Sequence, residues 1–133
     1  MLRATRLPGN PIVHPGLSEE IGDNINGPSL VRAPAWLPSP LGRYYLYFAH
    51  HGGESIRLAV ADKLVGPWRV VPGGTLQLSQ TACHGHIASP DVHVDDERRQ
   101  IRMYFHGPAA GHQKTFLAVS EDGVRFQAGT EIL

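Results

Sequence analysis

The chain has 133 residues, 41% of them hydrophobic and 18% charged, which suits one compact domain and is a globular composition rather than a disordered one. Lys plus Arg and Asp plus Glu each number 12, so net charge offers no electrostatic footprint for nucleic acid or an anionic membrane, and neither is expected as a partner. Cys83 is the only cysteine, which excludes an intrachain disulfide.

From Met1 to Pro8 the chain carries Arg3 and Arg6 with no apolar run behind them, so no signal peptide is expected. No later stretch has the length of a membrane span, and a cytoplasmic location is the resulting expectation. Gly at 15 and Pro at 11 favour short strands joined by turns, and helical periodicity is absent. Tyr44 to Ala49 (YYLYFA) is apolar on both faces and predicts a buried strand. The loop His51-Gly52-Gly53-Glu54 leads into a second strand, Ile56 to Ala61, and a turn through Gly66-Pro67 leads to Trp68-Arg69-Val70-Val71. Strands follow at Asp91 to Asp95, Gln100 to Phe105 and Thr115 to Ser120, then a Gly turn and Val124-Arg125-Phe126.

The two halves repeat one order. Pro28 to Val31 matches Pro90 to His93, Tyr47-Phe48 matches Tyr104-Phe105, Leu58 to Asp62 matches Leu117 to Glu121, and Trp68 matches Phe126. The offset of ~60 residues, with four strands and a late aromatic per repeat, predicts an all-β fold of two four-stranded antiparallel propeller blades, about 24–72 and about 86–128. Two blades cannot close a ring, so either the chain is a fragment or it self-associates if complete.

Ala88-Ser89-Pro90-Asp91-Val92, Ile101 to Phe105 and Ala118 to Gly123 resemble a blade of glycoside hydrolase family 43, and of the related family 32. Ala59 to Asp62 through Gly66-Pro67-Trp68 resembles the outer part of that family's first blade, and the likeness runs from about Asn10 onward. The resemblance implies a five-bladed propeller and a glycosidase acting on a carbohydrate in the full-length protein. The runner-up is a non-catalytic propeller that binds glycans or another protein. It implies paired carboxylates across the glycosidic bond, with the proton donor in a later blade that this chain lacks, so the chain alone would be inactive. An acid-Pro-Ser string opens the family's first blade, and Gly27 of Asn26-Gly27-Pro28-Ser29 stands where the aspartate would be.

The candidate catalytic residues are Asp91, by that motif, and Asp23, which reaches the same region from its loop. Each equally suits a turn cap. Asn24, Asn26, His86 and Trp36 are candidates for binding substrate: amides for sugar hydroxyls, His86 for a hydrogen bond, and Trp36 from an exposed Pro-rich loop. His84-Gly85-His86 alone is a weak metal motif, and no metal ligand or cofactor is assigned, with a channel ion such as calcium the one alternative.

Overall fold

The structure, a computed structural model, describes residues 1–132. Among the described residues the strands form two antiparallel sheets. The first runs β1 (Asn26–Arg32), β2 (Tyr44–Ala49), β3 (Ser55–Ala61) and β4 (Arg69–Val70), with β5 (Leu76–Gln77) added alongside β3. The second runs β6 (Ala88–Asp95), β7 (Gln100–Ala109), β8 (His112–Ser120) and β9 (Gln127–Glu131). No helix is long and apolar enough to cross a membrane.

Cross-strand pairing reproduces the repeat read from sequence. Ser29 lies opposite Tyr47 and Tyr47 opposite Leu58; in the second sheet Asp91 lies opposite Tyr104 and Tyr104 opposite Leu117. Both inner strands carry an irregularity at the same place, between Asn26 and Ser29 in β1 and between Ala88 and Asp91 in β6. The outer ladders also agree, Ala59 opposite Val70 and Ala118 opposite Ala128, which sets Trp68 and Phe126 at equivalent points before their strands.

One local expectation is corrected. Val124-Arg125-Phe126 is not a strand, because Asp122 Oδ1 accepts the amides of Val124 and Arg125 at 2.8 Å and holds them in a turn, so β9 starts at Gln127. His106 pairs with Thr115 inside the β7–β8 ladder and has Ala49 as its counterpart by register, while β2 stops at Ala49 and leaves His50 in a loop.

Side-chain alternation decides what each face does. Tyr45, Tyr47, Leu58 and Val60 of the first sheet interlock with Ile101, Met103, Phe105, Phe116 and Ala118 of the second in one buried cluster. Tyr47 donates its hydroxyl to the Gly123 carbonyl at 2.7 Å and meets Phe126 edge-on, with centroids 5.7 Å apart, so a polar tip inside the core is satisfied. The first sheet's other face, with Phe48, Ala59, Ala61 and Trp68, is covered by Ile21, with Ile12, Val13, Leu17 and Ile25 packed around it. The second sheet's other face has no such cover: Asp91 and His93 are exposed there, and Arg102, Tyr104 and His106 are half-buried.

Phe105 is fully buried between the sheets and stacks on Phe116 with centroids 5.5 Å apart. Phe105→Ala removes that packing and is expected to lower the unfolding free energy by about 3–5 kcal/mol, measured by urea denaturation.

Candidate functional site

The inner strands β1 and β6 meet closely near their starts. Gly27 has φ +56°, and a Cβ placed on it would lie 2.7 Å from Ser89 Cα, a backbone atom that cannot give way cheaply. Ser89 is itself left-handed, at φ 54°, so two matching bulges nest against each other. Two residues on, Ser29 Oγ accepts the Val92 amide at 2.9 Å and ties the strands together. Glycine at position 27 is therefore a packing requirement as well as a missing carboxylate.

The loop before β1 and the end of β2 form one polar cluster, because the β1–β2 ladder sets Asn26 opposite Ala49 and so brings residues 23–26 beside His50 and His51. His50 Nε2–H donates to Asp23 Oδ1 at 2.7 Å. The His51 amide donates to Asn24 Oδ1 at 3.0 Å, and Asn26 Nδ2 donates to His51 Nδ1 at 3.2 Å. The Asn24 carbonyl accepts from Arg57 Nη2 at 2.9 Å. Asp23 is 91% exposed while His50 is 38% exposed, so the pair stands at the surface with the imidazole partly sheltered. The hydrogen bond from His50 holds the Asp23 carboxyl below the usual carboxylate range, helped by a backbone amide and by attraction to the imidazolium.

Arg57 is the buried charge beneath this cluster. It is 6% exposed, its Nε has no partner, and its guanidinium lies 4.9 Å from the Phe48 ring centroid. Burial pulls its pKa below the ordinary guanidinium value. A buried cation held by one carbonyl and one aromatic face is a costly arrangement, and what it achieves locally is to fix the Asn24 backbone.

His86 lies nearby. Ile87 donates its amide to the Gly53 carbonyl at 3.0 Å and His84 to the Pro108 carbonyl at 2.8 Å, so the 83–87 segment borders the loop that follows His51. Cys83 in that segment is buried, and burial pushes its thiol pKa up, away from nucleophilic character. Among the described residues no group of three or more His, Cys, Asp or Glu side chains converges.

Asp23, Asn24 and Asn26 are thus brought together, with both amide side chains engaged inside the loop, and His86 is adjacent. Asp91 stands apart. It is exposed on the face of β6 turned from the first sheet, and its partner is His93 Nε2 at 3.0 Å, with no bond to Asp23. Trp36 is a correction: it is half-buried against the core, and its indole N–H donates to Asp96 Oδ1 at 2.7 Å in the β6–β7 turn. That places it at the other end of β1, roughly 20 Å from Asn26 at strand spacing, so it does not join the cluster. The sequence reading names neither His50 nor Arg57 as a site residue. Nothing in the sequence marked Arg57, because Ile56-Arg57-Leu58 alternates as a strand with an outward, solvated arginine would.

No family model matches the sequence. The chain is 33% identical over 148 residues to "Uncharacterized protein R118" of Acanthamoeba polyphaga mimivirus, a match covering 94% of this chain and 42% of that protein. Among solved structures it is similar to a GH43 beta-xylosidase/alpha-arabinofuranosidase from a compost microbial metagenome, in complex with xylotriose and in calcium-free form. That match has a TM-score of 0.66 at 15% identity and covers 85% of this chain and 36% of the other. A GH43_1 enzyme from Xanthomonas citri gives a TM-score of 0.67 at 15% identity, covering 84% of this chain and 34% of the other. The fold is that of part of a GH43-type propeller, and the chain spans less than half the length of the curated relative and about a third of these enzymes.

Gly27→Asp puts a strained φ and a backbone collision together. It is expected to destabilise by about 1–3 kcal/mol or more, read from the thermal midpoint. For the Asp23–His50 pair, NMR titration is expected to show the Asp23 carboxyl below the usual range and moving up in His50→Gln. Because the folded value is the depressed one, the pair is intact above the ordinary carboxylate range and is lost as pH falls through the depressed value.

Proposed function

We propose that this chain is the two-blade part of a carbohydrate-active protein that binds a glycan at the end marked by Asp23, Asn24, Asn26 and His86, and that the full-length protein cleaves glycosidic bonds. The observation that carries this reading is the polar cluster of Asp23, His50, Asn24, Asn26 and His51, gathered where the inner strands of a GH43-type fold begin. Loop donors and acceptors on a rigid sheet scaffold suit sugar hydroxyls. The structural neighbours were crystallised with xylotriose or xylose, which supports a pentose-containing glycan as the first ligand to try. Of the two candidate carboxylates, Asp23 lies within this cluster and Asp91 apart from it on β6.

A second reading, glycan binding without hydrolysis, is favoured by one observation: the close contact of Gly27 with Ser89 shuts out a side chain where the family resemblance expects the base.

The test uses the full-length protein with xylo- and arabino-oligosaccharides, measuring binding by calorimetry and cleavage by reducing-end release. Cleavage that falls about 10²–10⁴-fold in Asp91→Asn, with binding kept, supports the hydrolase and the role of Asp91. Binding without cleavage supports the second reading, and the absence of both overturns the carbohydrate assignment.

A further inference from the structure

We propose that His50, oriented by Asp23, is the group that takes the proton from the attacking water, replacing the carboxylate that position 27 cannot carry. This rests on the glycosidase reading above.

Three observations lead to it. First, Gly27 is closed to any side chain by the Ser89 backbone, so a base on that strand position is sterically excluded. Second, Asp23 does not stand free. Its Oδ1 is bound to His50 Nε2 at 2.7 Å, and a carboxylate held in that way is a weaker proton acceptor than an unpaired one. Third, the same bond fixes the imidazole tautomer. With Nε2–H pointing at Asp23, the lone pair is on Nδ1, which makes no bond to any described residue.

A carboxylate behind an imidazole both orients the ring and stabilises the imidazolium that forms when the ring accepts a proton. The ring is flanked by glycines: a Cβ on Gly22 would lie 3.9 Å from His50 Cδ2, and one on Gly53 would lie 2.6 Å from His50 Cβ. Neither neighbour adds a side chain over it.

In the step, the water oxygen forms a bond to the anomeric carbon and its proton passes to His50 Nδ1. The bond from the anomeric carbon to the leaving oxygen breaks with its electron pair on that oxygen. The leaving oxygen is protonated by a carboxylic acid, which the full-length protein must supply. Asp23 keeps its charge throughout and is a positioning residue, since it acts through His50. Arg57 acts further back, holding the Asn24 carbonyl and with it the loop that carries Asp23. The other titratable or charged side chains on the adjoining segments are His51, Glu54 and Arg57, with His84 and His86 on the neighbouring loop.

The experiment is the pH dependence of kcat/KM for oligosaccharide cleavage by the full-length protein, with glycan binding measured alongside. Imidazoles as a class titrate near about 6.5 and carboxylates near about 4, so the acid limb identifies the base. The expected result is an acid limb in the imidazole range in the unaltered protein. Asp23→Asn should lower kcat/KM with glycan binding kept, because the carboxylate that holds the Nε2–H tautomer and orients the ring is gone. His50→Gln should cost about 10²–10⁴-fold in kcat/KM with binding kept, and His50→Gly should recover turnover when free imidazole is added.

An acid limb in the carboxylate range overturns the proposal and needs no variant to show it. So does full activity in His50→Gln. Glycan binding without cleavage by the unaltered protein overturns the His50 assignment while leaving a glycan-binding propeller, and neither binding nor cleavage overturns both.

Discussion

The approach of β1 to β6 at Gly27 and Ser89 is the constraint from which much of the molecule follows. Two inner strands that touch through backbone atoms leave no room for a Cβ on one of them, and a left-handed residue is needed on each to make the turn. The Ser29 to Val92 hydrogen bond then locks the register of one sheet against the other. Once that register is set, Tyr45, Tyr47, Leu58 and Val60 face Ile101, Met103 and Phe105, and the shared core has its two halves in place. Side chains alternate along a strand, so a slip of one residue would turn this apolar set outward.

The faces on either side of that core differ because their neighbours differ. The first sheet's outer face is apolar and is covered from residue 12 onward by the segment that precedes β1, with Ile21 seated among Phe48, Ala59 and Trp68. The corresponding side of the second sheet carries Asp91, His93 and Arg102 among Tyr104 and Leu117. His93 bonds to Asp91 and lies edge-on to Tyr104 at 5.9 Å between centroids, while Arg102 lies 5.8 Å from the Tyr104 centroid. These polar side chains find partners among themselves, which keeps a half-apolar face compatible with water.

The sheets were legible in the sequence because their signal is local. YYLYFA, the Ala-containing strands and the late aromatics recur in order, and the pairing of Tyr47 with Leu58 and of Tyr104 with Leu117 follows that order residue by residue. Strand ends were less legible where a side chain competes for backbone amides, as Asp122 does ahead of β9. The polar cluster was half legible. An Asx-rich loop announced Asp23, Asn24 and Asn26, but the partner of Asp23 is 27 residues away and is chosen by the β1–β2 pairing. Trp36 misled for a similar reason: a Pro-rich loop looks exposed until Asp96, 60 residues on, accepts its indole N–H. Arg57 was hidden because burial of a charge is a property of packing, not of composition.

Closing position 27 to side chains has a consequence for where polar chemistry can sit. The first strand can offer only backbone at its point of closest approach, so functional groups at that end must come from the segments flanking it, the 22–26 loop and the chain just past β2. Those segments lie outside the strands, and a loop positions a carboxylate less well than a strand unless it is anchored. The structure answers with depth: Asn24 is held by its side chain to the His51 amide and by its carbonyl to Arg57, and Arg57 in turn is clamped over Phe48 in the apolar layer. A buried cation is costly, and what this one holds in place is the loop that carries Asp23 to His50.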